Sequence, residues 1–370
     1  MNKIKTLNIV IIGQWIYPML SPRAHRTWQL ATHLAKLGHN VTIYALLGDT
    51  DYSEFEQKYN IKIRNLGKSY FGCVNSDGHN PGFVKRVVGK ILRTCLHFPQ
   101  IELKGLTKKV IENINEDVDL LITIAFPHPI HWGAAEAMPK KNIKFWIADC
   151  GDPYMLNPFH RAPKYFEKEE HNWCSKCDAI TVPIEGAKSA YYSEYLNKIH
   201  VIPQGFDFSE TKLASYVTNA VPTFAFSGQV YPGTRDPKSF LKYLLSLDAD
   251  FKFIVYSKLK RHFEPYASLL GDKIEFREYV PRETLIYELS KMDFLININN
   301  VGMVQQPSKL IDYAQTKRPI ITISSEFDQV EKLRFDKFLK YDFSDATIVG
   351  NIDEYNIETI CGKMLELSKM

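Results

Sequence analysis

The feature that most constrains this chain is an alternation of apolar runs and striped helices, met twice along its length. Residues 7–12 form a mostly apolar run rich in β-branched side chains, as a strand buried on both faces of a parallel sheet requires. Residues 26–37 then place Trp28, Leu30, Ala31, Leu34, Ala35 and Leu37 on one helical stripe, and Gly38 follows as a helix stop. Residues 39–45 read as the next strand, which a parallel sheet with a right-handed crossover accommodates. Further strands are expected at 120–125, 144–148, 179–182 and 199–202. After a polar, weakly patterned stretch at 208–221, a second series begins at 223–227 and continues at 251–256, 273–276, 294–298 and 320–323. The expectation is an α/β protein with two open parallel sheets in series. Its boundaries read as an N-terminal domain at 1–207, a linker at 208–221, a C-terminal domain at 222–348 and a last amphipathic segment at 349–370 whose packing stays open. In such folds ligands sit outside the carboxyl ends of the strands.

Composition removes several alternatives. The 370 residues are 45% hydrophobic and 24% charged, which excludes a disordered chain, a collagen-like fibre or a coiled coil. A net charge of +4 is too mild to argue for nucleic acid. Six cysteines are too sparse for a disulfide framework in a chain of this size. The first apolar stretch is followed by no small-x-small cleavage site, so it is expected to be a buried strand rather than a leader. No window holds about 18 apolar residues, and the expected location is cytoplasmic. A nicotinamide-dependent oxidoreductase is set aside, because no Gly-x-Gly-x-x-Gly follows the first strand.

The chemically informative stretch is 305–321, Gln-Gln-Pro-Ser-Lys-Leu-Ile-Asp-Tyr-Ala-Gln-Thr-Lys-Arg-Pro-Ile-Ile. Pro307 suits the first turn of a helix, whose free N–H groups attract phosphate. Lys309 adds a cation there, and Asp312 falls one turn further along. A cation beside phosphates and a carboxylate one turn on suit a nucleotide, because the carboxylate accepts from ribose hydroxyls. The alternative is an exposed Lys–Asp helix face with no ligand.

The pattern Pro307-Ser-Lys-Leu-Ile-Asp-Tyr313 with Lys317-Arg-Pro-Ile-Ile321 resembles the donor-site helix of GT-B glycosyltransferases of the family-four type. Four other stretches agree and occur in the family's order. Tyr17-Pro-Met-Leu-Ser-Pro-Arg-Ala-His-Arg26 is similar to the first loop and helix. Trp146-Ile-Ala-Asp149-Cys-Gly-Asp152-Pro-Tyr154 is similar to the Asp-x-x-Asp-Pro-aromatic turn. Val201-Ile-Pro-Gln-Gly-Phe-Asp207 resembles the interdomain motif, and Ser227-Gly-Gln with Tyr231, Arg235, Asp236 and Pro237 resembles the loop that opens the nucleotide-binding domain. The resemblance implies two Rossmann-like domains facing across a cleft. It further implies transfer of a sugar, a hexose by class, from a nucleoside diphosphate sugar to a glycan or lipid-linked acceptor, with retention, in bacterial surface polysaccharide synthesis.

The resemblance also implies roles for particular residues. Arg235 and Lys309 stabilise the departing diphosphate. Gly228, Tyr279, Val280, Gln306, Ser308 and Asp312 bind the donor, with Asp312 on the ribose. No Asp-x-Asp motif stands in the expected loop, so no metal and no cofactor beyond the nucleotide-sugar co-substrate is expected. Two positions depart from the pattern. Val304 occupies the place of a usual Glu, with Gln305 or Gln306 as neutral substitutes, and Gln229 stands where many relatives have Arg. Val304 keeps a non-catalytic sugar-nucleotide-binding subunit as an alternative, beside a sugar-nucleotide epimerase of the same architecture.

In the first domain His128, His131, Asp152 and Arg23 are candidates for the acceptor side. For the histidines the alternative is a solvent-facing or core position, and for Asp149 and Asp152 a structural turn. Arg23 or Arg26 meets an acceptor phosphate, or neither does. Cys174 and Cys177 form a CxxC, but no second pair completes a zinc site. Residues 82–110 carry seven Lys/Arg against one Glu, interleaved with apolar residues at helical spacing. That segment reads either as a patch leaning on an anionic membrane surface or as a buried helix with a charged outer face.

Overall fold

Ile9, Val10, Ile11 and Ile12 are all buried in β1 (Asn8–Ile12), an interior strand of the first of two sheets. The computed structural model describes residues 5–19, 21–69, 83–158, 162–209, 211–231, 233, 235–257, 260–278, 280–299 and 308–369, without the side chains of 83–87 and 308. The chain divides into two units, Met1–Phe206 with Glu354–Met370, and Asp207–Asp353.

After β1 come α1 (Pro22–Lys36), β2 (Asn40–Ala45), α2 (Ser53–Tyr59), β3 (Lys62–Asn65), α3 (Phe83–Leu96) and α4 (Glu102–Asn113). They are followed by β4 (Leu120–Ala125), α5 (Pro129–Ala137), β5 (Trp146–Cys150), α6 (Glu167–Lys176), β6 (Ala179–Val182) and β7 (Ile199–Val201). The seven strands pair in parallel in the order β3-β2-β1-β4-β5-β6-β7. Helix α1 starts four residues before the expected stripe. Ser21 caps it by accepting from the Ala24 N–H at 3.1 Å, and Pro22 takes a first-turn position where no N–H is needed.

The second unit contains β8 (Thr223–Ser227), α7 (Lys238–Ser246), β9 (Lys252–Tyr256), α8 (Glu264–Leu270), β10 (Ile274–Arg277), α9 (Arg282–Leu289), β11 (Phe294–Ile298), α10 (Ser308–Gln315), β12 (Ile320–Ile323) and α11 (Gln329–Leu339). Its parallel order is β10-β9-β8-β11-β12. The direction of strand succession therefore reverses between β8 and β11, and at that switch point the loops after the two strands part to opposite faces. Phe224 anchors the core below, stacked on Phe253 and Phe294 with ring centres 5.1 and 4.8 Å apart.

Two stretches left open by the sequence find their places. Residues 208–221 lie on the second unit. The buried Asp293 carboxylate accepts from Tyr216 Oη at 2.7 Å, and from the backbone N–H groups of Asn219 and Thr223 at 3.2 and 2.7 Å. The last helix, α12 (Ile357–Leu367), returns to the first unit, where Ile357, Ile360, Cys361, Met364 and Leu367 join Leu30 and Leu34 of α1 in one buried cluster. The return is fixed beside the exit: the Ile357 N–H donates to Phe206 O at 2.9 Å, and a Cβ at Gly205 would stand 2.7 Å from Ile357 Cδ1. Among the described residues, no helix is long and apolar enough to cross a membrane.

Candidate active site

The end of β8 forms one wall of a pocket of about 190 Å³, lined by Ser227, Gly228, Gln229, Tyr256, Ser257, Val280 and Leu285. These residues come from the carboxyl ends of β8 and β9 and from the start of α9, the side of a parallel sheet where its loops gather. Gly228 has φ +134°, in the region that favours glycine, and its N–H donates to Tyr256 O at 2.9 Å. The loop that follows is held closed by a reciprocal pair, Tyr231 N–H to Arg235 O at 3.0 Å and Arg235 N–H to Tyr231 O at 2.8 Å. Tyr313 braces the strand end from α10, its hydroxyl accepting from the Ser227 N–H at 2.7 Å.

Two cations converge beside this loop. Lys309, in the first turn of α10, lays Nζ over the Phe226 ring, 4.8 Å from its centre, and its Cδ would lie 3.9 Å from a Cβ at Gly228. That amine is buried and has no hydrogen-bond partner among the described residues. Burial, reinforced by the Arg235 charge, holds it well below the ordinary lysine value. Arg235 donates from Nη1 to Gln229 O at 3.3 Å, while its Nε is buried without a partner among the described residues. A buried amine without a partner among the described residues, beside a half-buried guanidinium, is costly, and an anion placed between them would offset that cost. The alternative of an exposed Lys–Asp helix face is thereby corrected: Lys309 points inward, and Asp312 does not pair with it.

Asp312 pairs instead with Arg282, the first residue of α9, whose Nε and Nη2 both reach Oδ1, at 2.8 and 2.6 Å. Burial raises the Asp312 carboxyl and Arg282 opposes that rise. Sequence reasoning named Gly228 and Val280, and Ser227 and Gln229 within a motif, but missed Tyr256, Ser257 and Leu285 of the pocket and Arg282 beside it. No local pattern links Arg282 to a carboxylate thirty positions later; its place at the start of the helix after a strand was the available signal. Tyr279 and Gln306 lie outside the described residues, as do Val304, Gln305 and Pro307, and of Ser308 only its place at the start of α10 is described.

The first-unit candidates divide. His131 is fully buried, with Nδ1 2.8 Å from Thr123 Oγ1 and Nε2 3.3 Å from Cys150 Sγ, and burial lowers its pKa to about 3. It is therefore a neutral core residue, and its reading as an acceptor contact is corrected. His128 is also buried, with Nε2 3.0 Å from Asp152 O, so it too belongs to the interior; the Asp152 side chain is exposed. Arg23 keeps a quarter of its side chain exposed, above Gly151, where a Cβ would come within 2.4 Å of Arg23 Cζ. Cys174 and Cys177 are buried thiols, Cys177 pushed up to about 12 by burial, which suits packing rather than redox or metal chemistry.

Comparison with known proteins agrees with this geometry. The family model for Glycosyltransferase Family 4 matches residues 24–210. A comparison with curated proteins returns no match. Among solved structures, a glycosyltransferase from Rickettsia africae superposes with a TM-score of 0.63 at 15% identity, covering 99% of this chain and 98% of that one. TarM of S. aureus gives 0.64 at 10% identity with all of both chains covered. HepE of Anabaena, solved with UDP, gives 0.61 at 9% identity, covering 98% of this chain and 100% of that one. At these identities the likeness speaks for the fold, which is GT-B: two parallel α/β units of the kind described above. With the fold, the switch-point pocket and the family match in agreement, the chain is a glycosyltransferase and belongs to Glycosyltransferase Family 4.

Proposed function

We propose that the pocket beside β8 binds a nucleoside diphosphate sugar and that Arg235 and Lys309 stabilise its diphosphate as it departs. The observation that carries this reading is the buried Lys309 amine over Phe226, without a hydrogen-bond partner among the described residues, next to a glycine turn and the Arg235 cation. Asp312 would take the ribose hydroxyls, and Val280 with Gly228, and Tyr279, Gln306 and Ser308 by resemblance, would complete the donor contacts. HepE, which shares the fold, has been solved with UDP and with UDP-glucose, which supports a nucleotide-sugar donor.

The reaction we infer breaks the bond between the anomeric carbon and the diphosphate oxygen and forms one to an acceptor hydroxyl on the same face. The proton of that hydroxyl passes to the departing phosphate oxygen, which gives retention without a protein base. Charge growing on the diphosphate meets two cations whose Lys309 Nζ and Arg235 Nε are buried, where such interactions are strongest. We propose that this pair takes the part a metal plays elsewhere and that no further cofactor is used.

For the acceptor we propose a glycan or a lipid-linked saccharide of bacterial surface polysaccharide, used at the inner face of the cytoplasmic membrane. Helix α3 supports the membrane part. Val88, Ile91 and Leu96 are about half exposed, flanked by exposed Lys90 and Arg93. An apolar face rimmed by cations suits an anionic surface. The remaining acceptor-side candidates are Arg23 and Asp152.

The test is a thermal-shift panel of UDP, GDP, ADP, CMP and dTDP with their sugars. A ligand at 100 times its Kd adds about 2.7 kcal/mol of stability. One base giving a clear shift, lost in Lys309→Ala, supports the reading; shifts unchanged in that variant overturn it.

A further inference from the structure

Arg282 begins α9 between Val280 and Leu285, which both line the pocket. The start of α9 that carries Arg282 therefore runs beside the pocket. Its Nε donates to Oδ1 of Asp312 at 2.8 Å, and Nη2 stands 2.6 Å from the same oxygen as an ion-pair contact. Oδ2 takes no hydrogen bond from any described residue, and the carboxylate keeps 19% of its side-chain surface exposed. Aspartate is a short side chain on α10, and Glu283 beside it repels a second negative charge. Left alone, such a carboxyl would drift toward the protonated form and a mixture of rotamers, and both would weaken it as an acceptor of hydroxyl hydrogen bonds.

Resting on the reading of Asp312 as the ribose carboxylate, we propose that Arg282 is a positioning residue for ribose recognition: it pins Oδ1 and leaves Oδ2 for the hydroxyls of a ribonucleotide. The planar guanidinium suits this part better than a lysine, because its directed Nε–H holds Oδ1 in one orientation where a freely rotating ammonium fixes only a distance.

The alternative is a plain tie between α9 and α10, which would affect every ligand alike. The discriminating experiment measures the Kd of UDP, GDP and ADP and of their 2′,3′-dideoxy forms, for the wild type, Asp312→Asn, Arg282→Gln and Arg282→Lys. Wild type is expected to favour the best ribonucleotide over its dideoxy form by about 10- to 100-fold, the range for hydrogen bonds to a charged group. Arg282→Gln should lose most of that ratio by weakening the ribonucleotide alone, as Asp312→Asn does, with Arg282→Lys between. If Asp312→Asn loses the ratio and Arg282→Gln keeps it, or Arg282→Gln weakens both forms equally, the inference is overturned while the ribose site stands. If wild type binds none of the three, or does not distinguish the forms, the reading of Asp312 falls and the inference with it. Should Arg282→Gln fail to fold, Arg282→Lys carries the same comparison: a ratio equal to wild type's overturns the inference.

Discussion

Arg26 and Asp149 form a buried bidentate ion pair, Nε to Oδ2 at 3.1 Å and Nη2 to Oδ1 at 2.8 Å. The pair joins three stretches that the sequence presents separately. Arg26 ends the first loop motif, Asp149 lies next to the last residue of β5, and Arg26 Nη1 donates to Pro203 O in the motif after β7 at 2.6 Å. Thr181 Oγ1 adds a hydrogen bond to Asp149 Oδ1 at 2.7 Å. Burial alone would raise the Asp149 carboxyl, but the charges and donors of Arg26, Arg23 and Thr181 bring it below its ordinary value.

Breaking this pair strands a buried guanidinium. Asp149→Ala should lower the unfolding free energy by about 3–5 kcal/mol, read from urea denaturation at neutral pH. Because the carboxyl is depressed, its contribution is complete above the unfolded value of about 3.9 and fades as pH falls through the folded value. A loss under about 1 kcal/mol would mean that the pair is not organising the unit.

Glu170 is the opposite case. It is 1% exposed on α6, where burial pushes its carboxyl up to about 7 against the hydrogen bonds from Trp173 Nε1 and the Met155 N–H. A raised carboxyl favours the folded state below the unfolded value of about 4.3, and that advantage is lost as pH rises through about 7. Glu170→Gln, which keeps the shape without the charge, should raise the melting temperature by a few degrees at about pH 8 and little at about pH 5. Equal shifts at both values would contradict the assignment.

These two carboxylates mark what the sequence could and could not convey. Most of the strands were legible because a strand covered on both faces must be mostly apolar, as Leu120–Ala125 and Phe294–Ile298 are with one polar residue each. The missed strand, Lys62–Asn65, is an edge in which only Ile63 is buried. Helix α12 had a readable apolar face but no address, since amphipathic spacing does not say which neighbour will cover it. Beside the pocket, Lys309 was legible through its place near a helix start. Arg282 was not, because its pairing with Asp312 arises only from the packing of α9 against α10. A histidine after a strand reads alike whether it faces solvent or the core, and the Thr123 and Cys150 partners of His131 appear only in the fold.

Nucleotide binding should draw a proton from solution. The Lys309 amine is held well below its ordinary value by burial and by Arg235, and a bound diphosphate counters both. Uptake on binding means that affinity falls as pH rises through the bound-state value. Titration calorimetry with UDP or the base preferred in the panel, in buffers of different ionisation enthalpy, should give net uptake that disappears in Lys309→Met. Wild-type binding with no proton exchanged would contradict this account of the site.

Helix α3 predicts membrane attachment that depends on both its apolar face and its charge. The protein should co-sediment with vesicles containing anionic lipid at low salt and release at high salt, where screening shortens the reach of exposed charge. Ile91→Glu should abolish binding without a change in melting temperature, since Ile91 is 55% exposed. Binding unaffected by that change would place the contact elsewhere.

The central claim is that Lys309 and Arg235 act on the departing diphosphate, and turnover in Lys309→Ala and Arg235→Ala tests it most directly. With the donor identified by the nucleotide panel, each variant should lose about 100- to 1,000-fold in kcat while its Kd for the free nucleoside rises far less. Wild-type kcat in both variants would contradict the account.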